Sequence, residues 1–540
     1  MNKLFLVILA CLCFTLYFGY LNNGFVFDDK VLIQDNPLIK SARLLPNIFK
    51  TDIYEYWSGI GPYDRMYRPL QMLSYYIDYN LWSLNPAGLR LSNLILHLFN
   101  SILVFYLLLL LFKDKVLAQA SSILFLVHPV QISTVAYISA RGDLLSGFFI
   151  LTCCILFLKF LDSLDYRLYS LSILSAAFAL LSRENALLII FFLILLSSIG
   201  LKQKFKFKYL TGFLALAATY FTIRFIVFGP SGIAAHPVYL NGLLLRLVNF
   251  CNIIFHYSLL ILWPQNLRML HSIAFIYKLT IPIIFLASLG IILFLALLVG
   301  WRKKKLVVFS LLWFCVGVSP VYFYFDAYPA LGSALMAESW LYLPSIGFFT
   351  ALAGICRLNK KGLLIIIAWV LILGCIVLAN QVHWRNDVVF YERVMQFLPE
   401  DNLIQKKLAD AYIAQGNFSQ AQKSIKKLQK YYPDSAAVSS CWAQYYLAIG
   451  QPNEALNYYQ RLLGKSFFSN YSVSLCYSRL GDLDRAIAFS QVSFNQNALY
   501  LPNIIQLATL YKASGQKEQA NKYFILAGQL DPKNMQHLIK

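Results

Sequence analysis

Two adjacent carboxylates, Asp28 and Asp29, stand in the segment NNGFVFDDKVLIQDNPLI, about one turn beyond an apolar N-terminal stretch. Adjacent carboxylates in different surroundings can divide labour, one staying ionised as a base or ion ligand while the other orients a substrate. Taken alone, such a pair serves as readily as a helix cap or a solvated turn. Phe25 and Phe27 would hold it at a membrane surface. Further along come Tyr67-Arg68-Pro69-Leu70, His128-Pro129, Arg141-Gly142-Asp143 and Ser182-Arg183-Glu184-Asn185. Arg183 and Glu184 fall between two short spans, where ionisable groups are costly and by default are functional hypotheses. His128 is weaker, because a His before Pro also caps a helix end. Arg183 and Glu184 serve equally as a pair that knits helices together. Glu338 and Tyr342 follow in ESWLYLPS, after Asp326, and a carboxylate at a helix start favours the dipole whatever else it does. His236, His256 and His271 carry less weight still.

These residues are carried on apolar elements. The 540 residues are 59% hydrophobic, with a mean hydropathy of +0.60, well above soluble proteins, so a bilayer is the solvent. The net charge of +21 lies in short basic runs between apolar stretches, which argues orientation in a membrane and not nucleic-acid binding. The cysteines sit mostly in apolar segments and no paired CxxC occurs, so they read as small core hydrophobes and no metal site is expected. The first twenty residues read as a retained helix, since no small-residue cleavage site follows. Stretches long enough to cross a core of about 30 Å fall near 4–21, 91–112, 116–132, 144–161, 168–182, 186–200, 209–228, 280–300, 306–324, 340–356 and 362–380. The stretch 247–263 reads as interfacial or re-entrant, because an extra crossing would place the basic run at 302–305 outside.

An eleven-span count puts the N-terminus inside and everything after residue 380 outside. It makes residues 22–90 a long first outward loop, and loops of that length are usually functional. From 381 the chain is a repeat array. Gly416, Gly450, Gly481 and Gly515 each have Tyr four residues before and Ala five after, a tetratricopeptide register in which Gly turns the chain and Ala lets helices approach. The expected architecture is therefore all-α: a polytopic bundle over 1–380 followed by a tetratricopeptide solenoid over 381–540.

Taken together, FDDKVLIQDNPLI (27–39), YRPL (67–70), LRLSNLILHLFNS (89–101), LFLVHPVQISTVAYISARGDLLS (124–146), LSRENA (181–186), ESWLYLPSIGF (338–348) and the repeat arm form an ordered set. The set resembles the transmembrane and tetratricopeptide repeat (TMTC-like) family of protein O-mannosyltransferase-like proteins, which have the membrane glycosyltransferase C (GT-C) fold. The resemblance is weakest over 229–280. It implies inverting transfer of a mannose-like sugar from a polyprenyl- or dolichyl-phosphate to a hydroxyl, usually of protein Ser or Thr. Asp28 or Asp29 would take the acceptor proton. Arg68, His128, Arg141, Arg183, Glu184, Glu338 and Tyr342 would bind donor phosphate or sugar. No cofactor is expected, with a divalent cation at Asp28–Asp29 left open, and the arm would bind the protein acceptor or a partner. Where the family usually has Arg after the Glu of the YLPS segment, this chain has Ser339, so another basic residue must take that part or activity is altered.

The expected setting is a bacterial inner membrane, or the endoplasmic reticulum membrane in a eukaryote, with the arm periplasmic or lumenal. Two rivals are a non-catalytic repeat scaffold and a lipid-linked sugar flippase or polymerase. Against the second, the spans show none of the paired repeats of transporters.

Overall fold

The computed structural model describes residues 3–54, 65–200, 206–229, 243–274, 276, 280, 304–321, 333–356, 360–464 and 466–539. Residues 281–300 of the expected span 280–300, Asp326 and His236 lie outside these. The chain divides into two compact units. One comprises Met1–Asn23, Tyr67–Gln71 and Pro86–Val382; the other comprises Gly24–Met66, Met72–Asn85 and His383–Lys540.

The first unit is helical and apolar. Among the described residues, six helices are long and apolar enough to cross a membrane, and up to seven if a bent pair counts as one span. Leu364, Ile365 and Leu371 on Lys360–Asn380 leave more than half of their surface exposed, as lipid permits and water does not. The bent pair, Lys115–Val127 with Pro129–Val135, turns by 52° at His128. Pro129 lacks an N–H and pushes the preceding residue out of the helical region, and His128 sits at φ −71°, ψ 130°. Prolines also trim two expected spans: Lys305–Val318 stops just before Ser319-Pro320, and Ser345–Cys356 starts directly after Pro344. Residues 243–262 form a single helix, Leu243–Leu262. Among the described residues the strands are one antiparallel pair, Leu270–Ala274 against Ser333–Ala337, with His271 opposite Met336.

A polar seam explains the motif LRLSNLILHLFNS. On the helix Pro86–Phe112, Arg90, Asn93, His97 and Asn100 recur at helical spacing, and all are buried. Arg90 Nε donates to the Ala136 carbonyl at 2.8 Å, and Asn93 Nδ2 to that of Tyr137 at 3.1 Å. Asn100 Nδ2 donates to the Leu144 carbonyl at 2.9 Å. Ala136 and Tyr137 lie between helices, where freed carbonyls have no water to turn to in a membrane, and Arg90 and Asn93 satisfy them; Asn100 ties its helix to the first turns of Arg141–Ser163.

The second unit joins parts of the first loop to the repeats. Helix pairs Asn402–Ala414 with Phe418–Tyr431, Ala436–Ala448 with Pro452–Tyr459, Phe467–Arg479 with Leu483–Gln496, and Leu501–Ala513 with Lys517–Leu530 follow the single helix Asp387–Met395. The pattern glycines have φ between +73° and +81°, and an added Cβ would meet nothing within 4 Å. Conformation, not space, therefore selects Gly. The amide following each closes on the pattern Tyr carbonyl, as Gln451 N–H does on Tyr446 at 2.8 Å, which is a Schellman cap. Gly481→Ala is accordingly expected to destabilise the arm by about 1 kcal/mol, read as a lowered denaturation midpoint. Three pattern tyrosines stack on a ring twelve residues later: Tyr446 on Tyr458, Tyr477 on Phe489 and Tyr511 on Tyr523, with centroids 5.6–5.7 Å apart.

The far end of the arm grips the loop. The Tyr79 hydroxyl donates to Asp531 Oδ1 at 2.6 Å, and Lys40 Nζ lies 3.4 Å from Oδ2. Burial pushes the Asp531 carboxyl up, but Tyr79, Asn534 and Lys40 outweigh it and hold it below its ordinary 3.8. A depressed carboxylate stabilises the fold above its unfolded value and loses that contribution as pH falls through the folded one. Hydrogen exchange over 38–44 and 75–82 is thus expected to quicken below about pH 4 and to be insensitive to pH correction above it.

Candidate active site

The acid pair belongs to the second unit, and its members differ. Asp29 is fully buried, and its Oδ2 accepts the Val26 N–H at 3.2 Å while its own N–H donates to the Val26 carbonyl at 3.0 Å. It closes a turn. Asp28 is half-buried and accepts the Tyr54 hydroxyl at 3.0 Å through Oδ2, while its carbonyl takes the Leu32 N–H at 2.8 Å. Phe27, expected to anchor the pair at a membrane surface, packs with Phe390 and Tyr391 at 6.3 and 6.4 Å and lies under Lys407 Nζ at 4.7 Å. Tyr391 is pushed well up by burial and by the neighbouring Asp387, Asp28 and Asp29, so it stays a neutral phenol beside them. Among the described residues no three His, Cys, Asp or Glu side chains gather as a metal group would require.

The expected phosphate-binding residues belong to the first unit and fall into three groups. Arg68 Nε pairs with Glu184 Oε2 at 2.9 Å, Arg224 approaches Glu184 Oε1 at 3.7 Å, and Arg183 pairs with Asp143. Three guanidiniums face two carboxylates, and Ser146 donates to Asn185 at 3.1 Å alongside. The adjoining space, lined by Asp143, Ser146, Asn185, Ser339 and Tyr342, is about 10 Å³.

The second group is structural. His128 accepts the Val130 N–H at Nδ1, 3.2 Å, which serves the helix break, and its Nε2 lies 2.9 Å from the Ile261 carbonyl near the end of Leu243–Leu262. Arg141 is buried, with Nη2 donating to the Leu89 carbonyl at 2.7 Å and Nε to Asn93. Tyr342 is buried with its hydroxyl 2.9 Å from both His97 Nδ1 and Asn100 Nδ2.

The third group centres on Glu338, 1% exposed, at the end of the strand pair. Its Oε1 accepts the Arg268 N–H at 2.8 Å and lies 2.8 Å from His271 Nε2. Arg268 and His271, with His256, Trp263, Asn252 and Ser272, line a cavity of about 640 Å³. The lining mixes apolar and aromatic side chains with a guanidinium, imidazoles and amides. Sequence reasoning passed over Arg268 and Arg224 and set His271 low. Glu338 and His271 are 67 residues apart in sequence, and only the pairing of Leu270–Ala274 with Ser333–Ala337 joins them.

Comparison with known proteins points the same way as the motifs. A family model described as tetratricopeptide repeat matches residues 407–435. The chain is 25% identical over 435 residues to a Caenorhabditis elegans protein named Protein O-mannosyl-transferase F38B6.6, covering 78% of this chain and 61% of that one. It is 31% identical over 178 residues to Drosophila melanogaster Protein O-mannosyl-transferase Tmtc1, covering 33% of this chain and 21% of the other. The chain is similar to proteins named TMTC protein O-mannosyl-transferases over part of its length, and its repeats match the tetratricopeptide pattern. It spans 61% of the length of the nematode relative and about a fifth of the fly one. Among solved structures, a crystal structure of MamA matches 29% of this chain and 93% of its own at 20% identity, with a TM-score of 0.24 that supports no argument about the fold. The position after Glu338 is Ser339; Glu338 meets the His271 ring and the Arg268 backbone N–H, and the Arg268 guanidinium donates to the Leu270 and Asn266 carbonyls.

Proposed function

We propose that this protein is an inverting, GT-C-type membrane glycosyltransferase that moves a mannose-like sugar from a polyprenyl-phosphate donor to a hydroxyl of protein Ser or Thr. The observation that carries the reading is the division of the acid pair. Asp29 is occupied in closing a turn, while Asp28 is half-buried and oriented by Tyr54, the arrangement a general base needs. The acceptor oxygen attacks the anomeric carbon, its proton passes to Asp28, and the sugar–phosphate bond breaks with the lipid phosphate leaving.

The space beside the two candidate cation groups favours one of them for the donor. About 10 Å³ beside the Arg68–Glu184–Arg183 cluster holds about one water, whereas about 640 Å³ beside Glu338 is on the scale of a ligand site. Arg268, its guanidinium donating to the Leu270 and Asn266 carbonyls at 3.2 and 3.1 Å, and His271, held by Glu338, are assigned to the phosphate, and Trp263 to the sugar face. Arg268 thereby takes the part that an Arg at position 339 would play. Arg68, Arg183, Arg224 and Glu184 knit helices and set the field around them, and His128, Arg141 and Tyr342 support that frame.

Detergent separates transfer from transport, since a flippase needs a sealed vesicle and a transferase does not. Activity confined to sealed vesicles would overturn the proposal. EDTA treatment before assay tests for a divalent ion at the pair: loss of transfer that added cation restores would place one there, and transfer that continues would not. The arm is assigned to the outer, non-cytoplasmic side, in keeping with the basic runs. A reporter fused after Lys540 that works only in the cytoplasm would contradict that placement.

A further inference from the structure

The segment bearing the acid pair is held by the first helix of the repeat arm. Asp387 opens the helix Asp387–Met395 and is buried. Its Oδ1 accepts the Phe27 N–H at 3.2 Å, and its Oδ2 pairs with Lys30 Nζ. One carboxylate therefore brackets residues 28 and 29, with a bond on either side. The Gly24 N–H donates to the Arg385 carbonyl at 2.9 Å, adding a backbone bond just upstream. Phe27 adopts φ +54°, a left-handed conformation that costs a non-Gly residue energy and persists where surroundings impose it. Asp387 and the Phe390–Tyr391 rings supply that imposition. The far end of the arm grips the same loop through Arg43 Nη1 to Gln529 at 2.8 Å and Lys533 Nζ to the Asn80 carbonyl at 2.8 Å.

We propose that the repeat arm is the holder of the acid-bearing loop, with Asp387 as the positioning residue that sets Asp28 by bridging Phe27 and Lys30. The arm's role is then internal: it presents a base, besides any partner it recruits. Two bonds from a single side chain fix both the entry to and the exit from the acid pair, so a small displacement of Asp387 moves the carboxylate itself. Positioning of this kind acts on turnover, because an Å-scale misplacement of a reacting group lowers the rate without weakening donor binding. The inference rests on the reading of Asp28 as base.

The test compares the full-length wild type with Asp387→Asn and Asp387→Leu in detergent, measuring transfer kinetics and hydrogen exchange over residues 24–35. Asn keeps an oxygen for the Phe27 N–H and loses the ion pair; Leu loses both. Turnover is expected to fall modestly in Asn and about a hundredfold in Leu, with donor KM unchanged and exchange over 24–35 quickened in the same order. Charge exchange, Lys30→Asp with Asp387→Lys, is expected to recover part of the exchange protection. Unchanged exchange in Asp387→Leu would show that the arm does not hold the loop. Quickened exchange with unchanged turnover would overturn the positioning role. Loss of folded protein in Asp387→Leu leaves Asp387→Asn to decide on the same two readouts. If wild type transfers nothing, the reading of Asp28 falls, while exchange still decides whether the arm holds the loop.

Discussion

Asp28→Asn is expected to lower glycosyl transfer by about a hundred- to ten-thousand-fold, the range a positioned general base supplies. The amide still accepts the Tyr54 hydroxyl, so the loop keeps its shape and the protein its thermal midpoint. Asp29→Asn is expected to lose far less. Asn retains an oxygen for the Val26 N–H, and Asp29 is buried with that bond as its task. Asp29→Ala is different, because it strands a buried N–H at a cost of about 1–3 kcal/mol and should show as reduced stability. Kinetics and melting curves on the three variants separate a chemical role from a structural one. Equal losses in Asp28→Asn and Asp29→Asn, with stability unchanged, would contradict the division proposed here.

Arg268→Ala is expected to raise donor KM about tenfold to a hundredfold while leaving the KM for the peptide acceptor in place. A charge-assisted bond to phosphate contributes roughly 1.5–3 kcal/mol, and each 1.4 kcal/mol is a factor of ten. The backbone N–H of residue 268 still donates to Glu338, so the strand pair survives the change. Arg268→Lys should recover part of the loss, since Lys keeps the charge without the fork. Replacing Arg183 should instead lose folded protein, because it leaves the buried Asp143 carboxylate without its ion-pair partner, whereas replacing Arg68 leaves Glu184 with Arg224. Normal donor KM in Arg268→Ala would remove the cavity from the account.

Much of the fold is legible in the chain because its determinants are local. The repeat glycines need a positive φ, the alanines beside them are buried, and the register of both repeats along the sequence. Apolar stretches announce the helices, and Pro129, Pro320 and Pro344 mark where they break or stop. The chemistry is less legible because it depends on long-range pairing. Arg68, Arg141 and Arg183 look alike as cations in a membrane protein, yet Arg141 spends its donors on helix backbone and the others on carboxylates. Tyr342 reads as a ligand to sugar, and its neighbours His97 and Asn100, which share its hydroxyl, come from a distant helix. Arg268 carries no motif of its own. Phe27 is an aromatic beside a membrane helix in sequence and a ring packed on the arm in space.

The measurement that bears most directly on the whole account is label capture. Purified chain in detergent is given polyprenyl-phosphate mannose labelled in the sugar, with a Ser/Thr peptide. The account predicts label in the peptide with wild type and loss of it with Asp28→Asn. Peptide that stays unlabelled with wild-type protein, or labelling that survives Asp28→Asn, would contradict it.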